Sequence, residues 1–94
     1  MKVYISGGIS NDFNYMEKFK KAEDKLTAMG HIALNPCWIK AGLSYEQHMH
    51  IDLAMVDVAD ALYMLKDWED SKGAKIERQH GLKNGKKIYY EGAI

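Results

Sequence analysis

Short apolar runs alternate with amphipathic stretches from one end of the chain to the other. The first run, KVYIS, ends on the pair Gly7 and Gly8. From about Asp12 to Met29 the apolar residues recur at helical spacing, with Phe13, Met16, Phe19, Ala22, Leu26 and Met29 on one stripe and Lys18, Lys21 and Lys25 turned outward. Gly30 supplies a stop for that helix. HIALNP reads as a second strand closed by Pro36, and CWIKAGLS as a connecting loop. A second helix is predicted from about Tyr45 to Ala59, a third strand in DALYML, and a third helix from about Gly73 onward. Asn84 and Gly85 then turn the chain into a fourth strand, KKIYY. Regular alternation of strand and helix predicts an α/β fold with a parallel sheet and helices on both faces.

That architecture fixes where chemistry would sit, because open α/β sheets bind ligands beyond the carboxyl ends of their strands, near the point where strand order reverses. Three segments fall there: SGGIS after the first strand, Lys66 to Ser71 after the third, and the start of the helix carrying Glu77. Gly7 and Gly8 would let backbone amides approach a phosphate or sugar, or simply form a tight turn. GGISND has neither the dinucleotide nor the P-loop spacing. Glu77 stands out because its helical neighbours are Gly73, Ala74, His80 and Gly81, three of them nearly without side chain. Small neighbours imply close approach to the sheet or to a ligand, so Glu77 is either a buried structural carboxylate or a working one. Strand alternation puts Tyr4 on the face opposite Val3 and Ile5, near the ligand end, where its hydroxyl could hold a carboxylate. Asp52 borders the apolar face marked by Leu53, Val56 and Val58, a position suited to a structural hydrogen bond or to catalysis.

Composition narrows the picture. Ninety-four residues, 47% of them hydrophobic, make one domain spanning residues 1–94 with a modest core. Thirteen basic and thirteen acidic residues balance, which leaves no electrostatic footprint for duplex nucleic acid or an anionic membrane. The single cysteine, Cys37, suits a reducing cytoplasm and reads as a small buried hydrophobe rather than a nucleophile. No apolar run has membrane-spanning length, and the first residues lack the apolar region of a signal peptide. HMHID looks like a metal-hydrolase motif, but on a helix His48 and Asp52 share a face while His50 points away, and no Cys/His cluster completes a shell. No metal is therefore expected. His31 and His80 read as surface or structural histidines, and Asp60 as a partner for backbone amides. Trp68 could stack on a planar base at the mouth of the site or pack on its own domain.

KVYISGGIS, DLAMVDVAD and SKGAKIE together resemble the three signature segments of the nucleoside 2-deoxyribosyltransferase superfamily, which includes the deoxynucleoside 5′-monophosphate N-glycosidases. The resemblance extends over nearly the whole chain and is nearest to small, often phage-borne domains of that superfamily. It implies a flavodoxin-like (Rossmann-like) three-layer sandwich with a four-stranded, mainly parallel sheet. It further implies that Glu77 is a nucleophile forming a covalent deoxyribosyl ester, that Tyr4 orients it, that Asp52 handles the base, and that Ser71 contacts the 5′ end of the sugar. Gly7, Gly8, Ile9, Gly73 and Trp68 complete the expected substrate contacts. A serine at position 71, where the nucleoside transferases carry an aspartate, leans toward a nucleotide, whereas Ser10 and Asn11 stand where the monophosphate hydrolases have an arginine. No cofactor is implied. The expected protein is a cytoplasmic homodimer, joined through the apolar flank of the second helix and the strand end at Tyr89 and Tyr90, that cleaves or transfers the N-glycosidic bond of a deoxynucleoside or deoxynucleotide. The alternative is a nucleotide-binding or interaction module that retains the fold without turnover.

Overall fold

A computed structural model describes residues 1–9 and 13–93. Ser10, Asn11 and Asp12, and with them the expected start of the first helix and the missing arginine, lie outside the described residues.

The chain runs β1 (Lys2–Ser6), α1 (Tyr15–Ala28), β2 (Ile32–Leu34), a 3₁₀ turn (Pro36–Trp38), α2 (Tyr45–Val58), β3 (Ala61–Met64), a second 3₁₀ turn (Trp68–Asp70), α3 (Lys72–Lys83) and β4 (Lys87–Tyr90). The strands form one sheet in the order β2-β1-β3-β4, and every pair is parallel. From β1 the chain moves outward to β2 and then returns across β1 to β3, so the loops after β1 and β3 diverge at a switch point. None of the described helices is long and apolar enough to cross a membrane.

Two packed clusters separate the layers. On one side Val3, Ile5, Ala33, Ala61, Tyr63 and Leu65 meet Phe19, Ala22 and Leu26 of α1. On the other, Tyr4, Leu62 and Met64 meet Val56 and Ala59, at the end of α2, and Ala74 of α3. Gly81 makes the second layer possible: a Cβ there would stand 2.8 Å from Leu62 Cδ1, so only glycine lets α3 lie this close to β3. Helix α2 starts with a reciprocal capping box between Ser44 and Gln47.

Two expectations need correction. Only Phe19, Ala22 and Leu26 of the predicted α1 stripe are buried, while Phe13, Met16 and Met29 are exposed. Phe13 and Met29 lie outside the 14-residue helix, and Met16 stands in its first turn, so the buried stripe is confined to the middle of α1. On α2, Val58 is 57% exposed, whereas Asp52 does not merely border the inward face but occupies it at 3%.

Candidate active site

Beyond the carboxyl ends of β1 and β3 lies a cleft of about 730 Å³, walled by Gly7, Gly8 and Ile9 on one side and by α2 and the start of α3 on the other. Its floor is built by β1. Residues two apart on a strand share a face, so Tyr4 and Ser6 both point toward α3 and both reach Glu77. The Tyr4 hydroxyl donates to Glu77 Oε2 at 2.9 Å, and the Ser6 hydroxyl donates to Oε1 at 2.6 Å. Tyr4 and Ser6 are fully buried, and Glu77 is 4% exposed. No cation pairs with Glu77 among the described residues.

A second carboxyl shares the floor. Asp52 Oδ2 lies 3.0 Å from His48 Nδ1 one helical turn earlier on α2, and Asp52 Oδ1 is buried without a hydrogen-bond partner among the described residues. Burial pushes the Glu77 carboxyl well above the ordinary range; the Asp52 charge and a direct interaction with the Asp52 carboxyl add to this, while the Ser6 and Tyr4 hydroxyls oppose it. Burial also raises Asp52, against the pull of Glu77 and His48. Two acids in one dry pocket do not both ionise readily, so in the empty cleft Glu77 and Asp52 hold a proton between them. Burial, followed by Glu77 and Asp52, also drives the Tyr4 hydroxyl well above its usual value, so Tyr4 remains a donor.

At the other end of the cleft Ser71 caps α3, its hydroxyl accepting the Ala74 amide at 3.1 Å. Beside it Asp67 accepts the Gly8 amide at 3.2 Å and pairs with Lys18. A Cβ at Gly8 would fall 2.8 Å from Asp67 Oδ2, so the glycine is what admits this carboxylate. Gly73 faces Met49 and Tyr45 across the cleft.

The structure thus brings together Tyr4, Asp52 and Glu77 at the floor and Gly7, Gly8, Ile9, Ser71 and Gly73 around the walls. It places Trp68 elsewhere. The indole packs 6.0 Å from the Tyr90 ring, with the Arg78 guanidinium 4.9 Å from it, and takes no part in lining the cleft. Its expected place at the mouth is therefore corrected: β4 and α3 claim it as part of the fold. Cys37 is half-buried against the α1 cluster, and burial with the nearby Asp52 charge pushes its thiol up to about 11, which leaves it inert as a nucleophile. Asp60 takes the Lys2 amide at 2.8 Å, in the adjacent strand rather than locally. Among the described residues no group of His, Cys, Asp and Glu is arranged to hold a metal ion. Sequence reasoning passed over Ser6 and Asp67, and set His48 on one helix face with Asp52 only to dismiss a metal motif. Ser6 was accessible from the same alternation that selected Tyr4, and His48 from its helical spacing to Asp52; a loop carboxylate such as Asp67 carries no periodic signal.

A family model described as "Domain of unknown function (DUF4406)" matches residues 1–90. No curated protein matches the chain. Among solved structures, a 2-deoxyribosyltransferase from the psychrotolerant bacterium Bacillus psychrosaccharolyticus is similar with a TM-score of 0.76 at 22% identity, covering 100% of this chain and 76% of that one. A 2-deoxyribosyltransferase from Leishmania mexicana is similar with the same TM-score of 0.76 at 15% identity, covering 95% of this chain and 62% of that protein's. The fold of this chain is the fold of those two proteins.

Proposed function

The chain belongs to the DUF4406 family, and we propose that it cleaves or transfers the N-glycosidic bond of a 2′-deoxyribonucleoside or its 5′-monophosphate through Glu77. The observation that carries this reading is a buried carboxylate with no cation beside it among the described residues, gripped by two hydroxyl donors at the floor of a cleft. A structural acid would find a basic partner or the surface; an acid held this way is aimed. The similar folds of two 2-deoxyribosyltransferases support the same substrate class.

Cleavage builds positive charge on the anomeric carbon. Ionised Glu77 would attack C1′ from below the ring and form a glycosyl ester, with Tyr4 and Ser6 fixing both carboxylate oxygens so that no reorganisation is needed as the charge moves. Water opening that ester gives hydrolysis; a second base gives transfer. Asp52 serves the departing base, and Ser71 the 5′ end of the sugar. At that end the free amides of the α3 terminus suit a phosphate while Asp67 suits a hydroxyl, so phosphate preference turns on how fully Lys18 neutralises Asp67. A homodimer through the outer face of α2 would cover Ile51 and Val58, both exposed in the single chain.

Chromatography for free base after incubation with a panel of deoxynucleosides and their 5′-monophosphates tests the reading. Turnover is expected with at least one, and mass spectrometry of quenched wild-type protein should place a deoxyribosyl adduct on the peptide containing Glu77. Glu77→Gln should reduce base release by roughly 10⁴-fold or more. An inert wild type across the panel, or normal turnover by Glu77→Gln, overturns the proposal.

A further inference from the structure

We propose that His48 is the acid that protonates the departing base, with Asp52 acting through it; this rests on the glycosidic reading above and specifies how its leaving group is handled. Three observations converge on the imidazole. His48 lines the cleft from α2, on the wall that rises from Asp52. Its Nδ1 is engaged by Asp52 Oδ2 at 3.0 Å, which leaves Nε2 as the nitrogen available to a ligand. Asp52 itself is 3% exposed, at the floor with Glu77, whereas the His48 side chain is 26% exposed. The imidazole is therefore the more open of the two groups to a base bound in the cleft.

The proton balance closes without an external acid. In the empty site the two acids hold a proton between them, and the buried Oδ1 of Asp52 has no other donor among the described residues. For Glu77 to attack, that proton must leave; for the base to depart neutral, a proton must arrive. With His48 Nδ1 donating to Asp52 Oδ2, His48 Nε2 gives its own proton to N7 or N3 of a purine, or O2 of a pyrimidine, while the proton of the acid pair settles on Asp52, which meets both needs. As the bond from C1′ to the base nitrogen breaks, its electron pair goes to the base and a Glu77 oxygen forms the new bond to C1′. When water opens the ester, its oxygen bonds C1′, the ester electrons return to Glu77, and the water proton returns to the His48–Asp52 pair. A buried Asp52 oxygen with no donor but the Glu77 carboxyl among the described residues is the link that a merely structural His–Asp pair would not leave open.

The test compares substrates that do and do not need the proton. 2′-Deoxyguanosine is set against its 7-methyl counterpart, whose base is already cationic, and 2′-deoxyuridine against its 5-fluoro counterpart, whose base departs more readily as an anion. The monophosphates are used in place of the nucleosides if the wild type prefers them, and uncatalysed release is subtracted. For whichever pair the wild type turns over, His48→Ala should lose roughly 100-fold or more on the first member. It should lose about tenfold less on the second. Added imidazole should restore part of the first loss. His48→Gln, which keeps the size and one donor, should show the same substrate-dependent split, and circular dichroism should show both variants folded. Equal losses on both members with no imidazole rescue would overturn the role of His48 while leaving Glu77 intact as nucleophile. A wild type inert on every substrate instead removes the glycosidic reading itself.

Discussion

The two faces of the sheet are built from the same five residues of β1 and have opposite physical characters. Val3 and Ile5 point toward α1 into a cluster of apolar side chains closed by Phe19, Ala22 and Leu26. Tyr4 and Ser6 point the other way, and that side also holds Asp52 and Glu77, so three of the four buried polar side chains among the described residues belong to it. The α1 face removes apolar surface from water and asks nothing of the side chains but volume. The cleft face keeps two acids out of water with hydroxyls as their only donors besides His48 among the described residues, an arrangement that weakens the fold where the chemistry is proposed. A division of labour between the two faces of one strand is the lesson, and it can be attacked from either side.

The largest effect is expected on the α1 face. Phe19 is fully buried, and Phe19→Ala should cost about 3–5 kcal/mol through lost transfer energy and the cavity left behind. A domain of this length has a total stability of about 5–15 kcal/mol, so the variant should sit near the edge of folding at 37 °C. Denaturant unfolding measures this. Where it remains folded, its turnover per folded molecule should match the wild type within about threefold, because α1 meets the cleft at its rim, through the Lys18–Asp67 pair and through Ile9 packed on the α1 cluster. A folded Phe19→Ala protein with a much lower turnover would show that the faces are coupled rather than divided.

A matched pair of tyrosines gives a smaller and sharper comparison. Tyr4 and Tyr63 are both buried strand residues, but Tyr4 donates to Glu77 while Tyr63 belongs to the α1 cluster and meets Lys25 at 3.4 Å. Tyr4→Phe deprives Glu77 Oε2 of its donor and drives the carboxyl still further toward its neutral form, so base release should fall by roughly 10–100-fold. Tyr63→Phe loses only a long, part-buried hydrogen bond from Lys25 and should change stability by about 0.5 kcal/mol or less and turnover not at all. Steady-state kinetics on the two variants, with melting temperatures alongside, decides between a division by face and a general sensitivity of strand tyrosines.

How much of this division was legible beforehand follows from what carries periodic information. Strand alternation alone separates Tyr4 from Val3 and Ile5, and the small residues around Glu77 announce a close approach, which at Gly81 is contact with Leu62 and at Gly73 the wall of the cleft. Element order and parallel pairing follow from the same periodicities, and so the switch point could be located without coordinates. What periodicity does not hold is length matching between layers and the direction of loop side chains. The exposed ends of the predicted α1 stripe, Phe13 and Met29, fall beyond the helix itself, and the apolar spacing does not mark where the helix stops. The inward placement of Trp68 depends on Arg78 and Tyr90, which come from two later elements. Asp67 acquires its position from the Gly8 amide and Lys18, across 59 and 49 residues of sequence.

The smallest expected effect is the most informative about the cleft face, because it reads stability where the proposal reads catalysis. A carboxyl whose folded pKa lies above its ordinary 4.5 binds a proton in the native state that the unfolded chain has already released. Its presence therefore favours folding fully below pH 4.5, progressively less as pH rises toward the folded value, and not at all above it; Asp52, also raised, acts in the same direction. Glu77→Gln keeps the shape of the neutral acid at every pH and carries an amide that can donate to the unpartnered Asp52 oxygen while its carbonyl accepts from Ser6 or Tyr4. Below pH 4.5 the variant and the wild type should melt together. Above it the variant should become the more stable, by about 1 kcal/mol at neutral pH, or roughly 4–8 °C in Tm for a domain of this size. Differential scanning calorimetry between pH 4 and pH 8 follows the gap directly. A wild type that melts above Glu77→Gln at pH 7 would mean that the ionised carboxylate is satisfied where it sits, and the cleft face would then be a second stabilising core rather than a site held at the expense of stability.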